Sequence, residues 1–174
     1  MIFFIINGYF FHKSLTKGLE IGIWLSRSLS RYLFWMFFYA YFWFRFDLEI
    51  GYIINTLKFI KRLTVGYGHL WYLSASITTG VVIYGFRKQS DNVLIFLGVN
   101  LFVIGTLLQY FGNYHIFTSE YLDQFVSEPL THRNFIFMGF PFFGFGYLAS
   151  KNNLDTKLHN DIVPILVEIV EAPM

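Results

Sequence analysis

Residues 93–111 read VLIFLGVNLFVIGTLLQYF and carry no charged side chain. An α-helix rises about 1.5 Å per residue, so about 20 apolar residues cross a hydrocarbon layer about 30 Å thick. Val93–Phe111 has the length and composition of such a crossing. Its apolarity is continuous rather than alternating with period two, which favours a helix over an outer-membrane barrel strand.

Four further segments qualify fully or in part. Met1–Phe11 (MIFFIINGYFF) is too short to span alone. Tyr32–Phe44 is uncharged and flanked by Arg31 and Arg45, both long enough to snorkel and extend it. Val65–Phe86 is interrupted by His69, and Phe135–Ala149 (FIFMGFPFFGFGYLA) is short, with Pro141 in its middle. Glycines at 139, 144 and 146 would weaken a water-exposed helix, but in lipid they let neighbouring helices approach closely. The pattern predicts an all-α fold, a polytopic transmembrane helical bundle with about five hydrophobic segments.

Composition points the same way. The 174 residues are 55% hydrophobic, 22% aromatic and 14% charged, with a mean hydropathy of +0.49. A soluble domain carries about 25% charged residues, so an ordinary water-exposed globule is excluded. Disorder, which needs low hydrophobicity, is excluded too. A net charge of +2, scattered along the chain, gives no nucleic-acid footprint. Without cysteine there is no disulfide scaffold, thiolate nucleophile or cysteine-bound metal. Met1–Phe11 lacks the basic start and small-residue cleavage site of a signal peptide.

The aromatic residues end at Tyr147, which divides the chain into a membrane domain over 1–150 and an atypical polar and aliphatic tail over 151–174. In that tail Ile162–Val170 is too short to span; a natural cytoplasmic tail and the product of a shifted reading frame fit it equally. Basic residues orient the spans. One set of connections holds Lys13, Lys17, Arg27, Arg31, Arg87, Lys88, Lys151 and Lys157; the other holds Arg45, Lys58, Lys61, Arg62 and Arg133. The positive-inside rule puts the first set in the cytoplasm, so the first segment enters from outside.

Walker loops, dinucleotide fingerprints, nucleophile elbows and HExxH motifs are absent. The candidates left are polar groups near membrane depth, where they are costly. His69, in GYGHLWYL, can exchange a proton with a hydroxyl substrate near neutral pH, or can sit among Tyr67, Trp71 and Tyr72 as part of an interfacial aromatic belt. Arg27 and Arg31 are spaced i, i+4. They can clamp a phosphorylated cofactor from one helix face, or anchor a span to lipid phosphates. His132-Arg133-Asn134 can line an acceptor-sugar site or cap a helix. His115, Glu120 and Asp123 share the outer loop, but their spacing matches no recurring ligand pattern, and no metal is expected.

Four stretches in order then carry a resemblance: FFIINGYFF, SRSLSRYLFW, GHLWYL and RNFIFMGFPFFGFGYL. Over roughly residues 2–150 the chain resembles the integral-membrane acyltransferase 3 family, in its branch that O-acetylates surface polysaccharides. The resemblance implies a multi-pass enzyme of the bacterial inner membrane. It would move an acyl group, usually acetyl from acetyl-CoA, to a hydroxyl of a surface glycan or its lipid-linked precursor. It would place Arg27 and Arg31 at the acyl donor, His69 and Trp71 in the box near the acceptor, and Arg133 in the final matched motif; His69 is then the catalytic candidate only as a substitute for the base on the missing helix. The family carries its key histidine on a first transmembrane helix, whereas this chain starts at what resembles the second. Its arginines are four apart where the family has three, and Asn7 stands where serine is usual before Gly8. The resemblance therefore implies a truncated piece of a larger fold, inactive alone. Two rivals from other classes are a small transporter or flippase component, which would bind no CoA, and a noncatalytic membrane subunit of a glycan-assembly complex.

Overall fold

A computed structural model describes residues 1–43, 51–154 and 156; Arg45, Lys157 and Ile162–Val170 lie outside the described residues. Among the described residues all regular structure is helical. The helices are α1 (Ile2–Thr16), α2 (Ile21–Phe38), α3 (Ala40–Trp43), α4 (Tyr52–Val65), α5 (Trp71–Gly85), α6 (Asp91–Asn113), α7 (Glu120–Ser127), α8 (Pro129–His132) and α9 (Phe140–Lys151). Of these, α6 alone is both long enough and apolar enough to cross a membrane, with 11% of its apolar window buried inside the protein.

Contacts fix the direction of each long helix. His12 bonds Ser150 at the far end of α1, while Gly8 lies against Phe143 and Tyr147, so α1 and α9 run parallel. Phe4 meets Trp71 and Asn7 bonds Ser76, so α5 shares that direction. Trp24 packs on Gly80 while Tyr32 donates to the Leu63 carbonyl beside the start of α5, so α2 runs opposite. Asp91 meets Lys151 while Gly112 lies against Val126, so α6 also runs opposite to α9. Helices α1, α2, α5, α6 and α9 thus alternate in direction along the chain. One end gathers Lys13, Lys17, Arg87, Lys88 and Lys151; the other gathers Lys58, Lys61, Arg62 and Arg133.

The core sits where α1, α5, α6 and α9 meet, around Phe11, Ile83 and Phe143, each 0% exposed. A second cluster joins α2 and α3 to α5 through Tyr32, Met36, Trp43 and Ile77. Backbone contact between α1 and α9 depends on two glycines. A Cβ on Gly8 would overlap the Phe143 carbonyl, and one on Gly146 would overlap the Ile5 carbonyl. This is the small-residue seam by which helices associate in lipid. Outside it, large apolar side chains face outward on every long helix, among them Phe37 at 83% and Phe96 at 68% exposure.

Three boundaries differ from the sequence reading. First, α2 begins at Ile21, because nothing in IGIWLSRSLSR breaks a helix, so Arg27 and Arg31 lie within a helix rather than in a connection. Second, Val65 ends α4, and the chain turns at Gly66 (φ +92°), where a Cβ would crowd Leu70, before α5 starts at Trp71. Third, Pro141 falls in the first turn of α9, where its missing N–H costs no helical bond. The preceding residues, Phe135–Gly139, form a π-helical turn.

Candidate functional site

Two polar clefts flank α5. The first, about 350 Å³, lies between α1, α2 and α5 and contains Arg27, Ser28 and Arg31 together with Asn7, Ser14 and Ser76. Residues spaced i, i+4 share a helix face, and both arginines do open into this one space. Arg31 Nε also donates to the Arg27 carbonyl at 3.2 Å, which ties its stem to the helix. Deeper in, the Asn7 amide donates to Ser76 Oγ at 3.4 Å, a polar pair between α1 and α5. The two guanidinium groups, the Asn7 amide and the serine hydroxyls give this cleft a polar lining.

The second cleft, about 650 Å³, lies at the N-terminal end of α5, between α4, the turn at Gly68–Leu70 and α8. It brings Arg133 together with His69 and Trp71, which are distant from it in sequence, with Lys58, Lys61 and Arg62 added from α4. Positive φ at Gly66 and Gly68, +92° and +54°, folds the link so that His69 reaches the cleft. The imidazole is exposed and has no side-chain hydrogen bond to another described residue; Trp71 and Tyr72 instead pack on Phe4 and Phe3. The belt alternative, a histidine bonded among these aromatics, is therefore not what the fold adopts.

Arg133 is positioned by the cap that follows it. Asn134 Oδ1 accepts from the Ile136 and Phe137 amides at 2.9 and 3.0 Å, and its Nδ2 donates to the Leu130 and Thr131 carbonyls. Beside it His132 is buried, its Nδ1 without a partner among the described residues. Burial, with Arg133 adjacent, holds the His132 imidazole below its ordinary value.

On α5 the two clefts use opposite faces. Leu73, Ser76 and Ile77 line the first; Trp71, Ser74 and Thr78 line the second and a 270 Å³ extension of it that also holds Arg133. At 100° per residue these sets lie nearly half a turn apart, so one helix wall separates the arginine cleft from the histidine cleft. No family model, curated protein or solved structure matches the chain. Chemically, the first cleft can hold an anion by two guanidinium groups and offer amide and hydroxyl donors beyond them. The second can place an imidazole, an indole face and a guanidinium around a polar ligand. Among the described residues no group of three or more His, Asp or Glu side chains converges as a metal cage.

Sequence reasoning missed two contributors. Lys58, Lys61 and Arg62 were assigned to topology alone, although their spacing places them on one face of a helix. Asn7 and Ser76 form an interhelical pair that no local pattern signals.

Proposed function

We propose that this chain is a membrane-embedded O-acyltransferase module, multi-pass in a bacterial inner membrane, that uses acetyl-CoA on one side of α5 and a glycan hydroxyl on the other. The single observation that carries the reading is the apposition of the two clefts across α5: Arg27 and Arg31 open into one, while His69, Trp71 and Arg133 line the other. Outward-facing apolar side chains on α1, α2, α6 and α9, many of them aromatic, support lipid as the surrounding solvent.

In this reading the guanidinium groups of Arg27 and Arg31 bind the CoA phosphates by charge-assisted hydrogen bonds. For the reaction to occur, the pantetheine arm of the bound CoA carries the thioester past α5 to the second cleft; there the exposed imidazole of His69 accepts the proton of the attacking sugar hydroxyl, which adds to the thioester carbonyl, and collapse of the adduct expels the CoA thiolate, which takes that proton back from the imidazolium. Trp71 supplies a flat surface for the sugar ring, and Arg133 orients its polar edge. The resemblance to the acyltransferase 3 family supports the same assignment of sides.

Acetyl-CoA titrated into the detergent-purified chain tests it. Wild type binds saturably, and Arg27→Ala/Arg31→Ala weakens binding by roughly tenfold or more, the scale of losing two phosphate contacts. Equal affinity in the double variant removes the donor role.

A further inference from the structure

The wider cleft holds more positive charge than a sugar hydroxyl needs. Lys58, Lys61 and Arg62 come from one face of α4, and Arg133 approaches from the far wall. Among the described residues no carboxylate lines the space. Among the described residues the ion pairs are His115–Asp123 and Lys151–Asp91, so none of these four cations has an acidic partner among those residues. Arg62 donates to the Trp43 carbonyl at 2.5 Å and is thereby held in place; Lys58, Lys61 and Arg133 are exposed. The positive end of the α5 dipole adds to the same potential. Cations concentrated in a cleft beside low-dielectric walls attract an anion strongly.

The walls are not wholly polar. Val65, Trp71 and Leu130 line the cleft beside the cations, and the opposite stripe of α4, with Ile53 at 78% and Leu57 at 61% exposure, faces outward. A basic face backed by an apolar stripe is the pattern of a helix lying in the membrane interface. The ligand that fits both halves is an amphiphile with a charged head.

We infer that the α4–α8 cleft is a binding site for a phosphate ester carried on a membrane amphiphile, the phosphate held by Lys58, Lys61, Arg62 and Arg133. Two sources share that chemistry: an anionic phospholipid headgroup, and the phosphate that links a glycan to its lipid carrier. The inference stands on the cleft alone, and failure of acetyl-CoA to bind at Arg27 and Arg31 would leave it intact.

The test uses the full chain in non-ionic detergent, with inorganic pyrophosphate as probe and calorimetry as readout. Wild type binds saturably. Lys58→Gln/Lys61→Gln/Arg133→Gln binds at least tenfold more weakly, while Lys17→Gln/Arg87→Gln/Lys88→Gln, with the same charge removed from the other end, stays within twofold. Lys58→Arg/Lys61→Arg keeps the charge and retains binding, which separates loss of the site from loss of the fold. Equal weakening in both triple variants, loss in the arginine variant, or no saturable binding to wild type overturns the proposal. Displacement of the probe by short-chain phosphatidylglycerol but not by a sugar 1-phosphate assigns the headgroup, and the reverse assigns the glycan linkage. Displacement by neither also overturns it.

Discussion

At the scale of single residues, the histidine cleft depends on two neighbours of Arg133. Asn134 satisfies two backbone amides with one side-chain oxygen. Asn134→Ala leaves both without that acceptor, and a lost cap costs about 1–2 kcal/mol. The thermal midpoint in detergent should fall by several degrees; an unchanged midpoint would mean that water serves those amides equally well. His132 gives a pH dependence. Its folded value lies below the ordinary 6.5, because burial and then Arg133 disfavour the cation. As pH drops through about 6.5 the unfolded chain takes up a proton that the folded chain resists, so stability falls toward acid. The midpoint should drop between about pH 7.5 and pH 5, and His132→Gln should shrink the drop; the same drop in the variant would sever the link. His69 shows what sequence could and could not reveal. Its residue type suggested proton transfer, but whether it bonded the surrounding aromatics or opened to a cleft depended on the Gly66 and Gly68 turn.

At the scale of elements, the α1–α9 seam has no slack, because the groups that a Gly8 side chain would meet are backbone atoms that cannot rotate away. Gly8→Ala should destabilise by roughly 1–3 kcal/mol, the scale of overpacking. Gly22→Ala is the control: no atom lies within 4 Å of its added Cβ, and alanine is the better helix former, so stability should hold or rise by up to about 1 kcal/mol. Thermal midpoints of the two variants in one detergent decide this, and equal destabilisation would refute the seam. Element positions were legible in proportion to local signal. Val93–Phe111 lies within α6 because uninterrupted apolarity needs no partner to be read. Val65–Phe86 was read as one segment because a glycine in apolar surroundings does not announce a positive φ. Tyr32–Phe44 was placed late because the serines and arginines of 26–31 look like a connection until a cleft is there to receive them.

At the scale of the whole molecule, alternation of α1, α2, α5, α6 and α9 separates basic residues into two ends; counting charges between apolar runs groups them alike except for Arg27 and Arg31, which lie within α2. What counting could not show is the pairing of clefts across α5. Arg133 and Lys58 are distant in sequence, and only the fold places them on one cleft. Helices α1, α5 and α9 have 15, 15 and 12 residues, shorter than an upright crossing needs. In the proposed multi-pass reading, their place in a bilayer rests on the surrounding helices and on snorkelling ends rather than on length. The most direct test uses the absence of native cysteine. Lys88→Cys and Tyr121→Cys, at opposite ends of the bundle, are exposed in turn to a membrane-impermeant thiol reagent in intact spheroplasts and in inverted vesicles. The account predicts that Tyr121→Cys reacts in spheroplasts and Lys88→Cys in inverted vesicles. Labelling of both from the same side would contradict it.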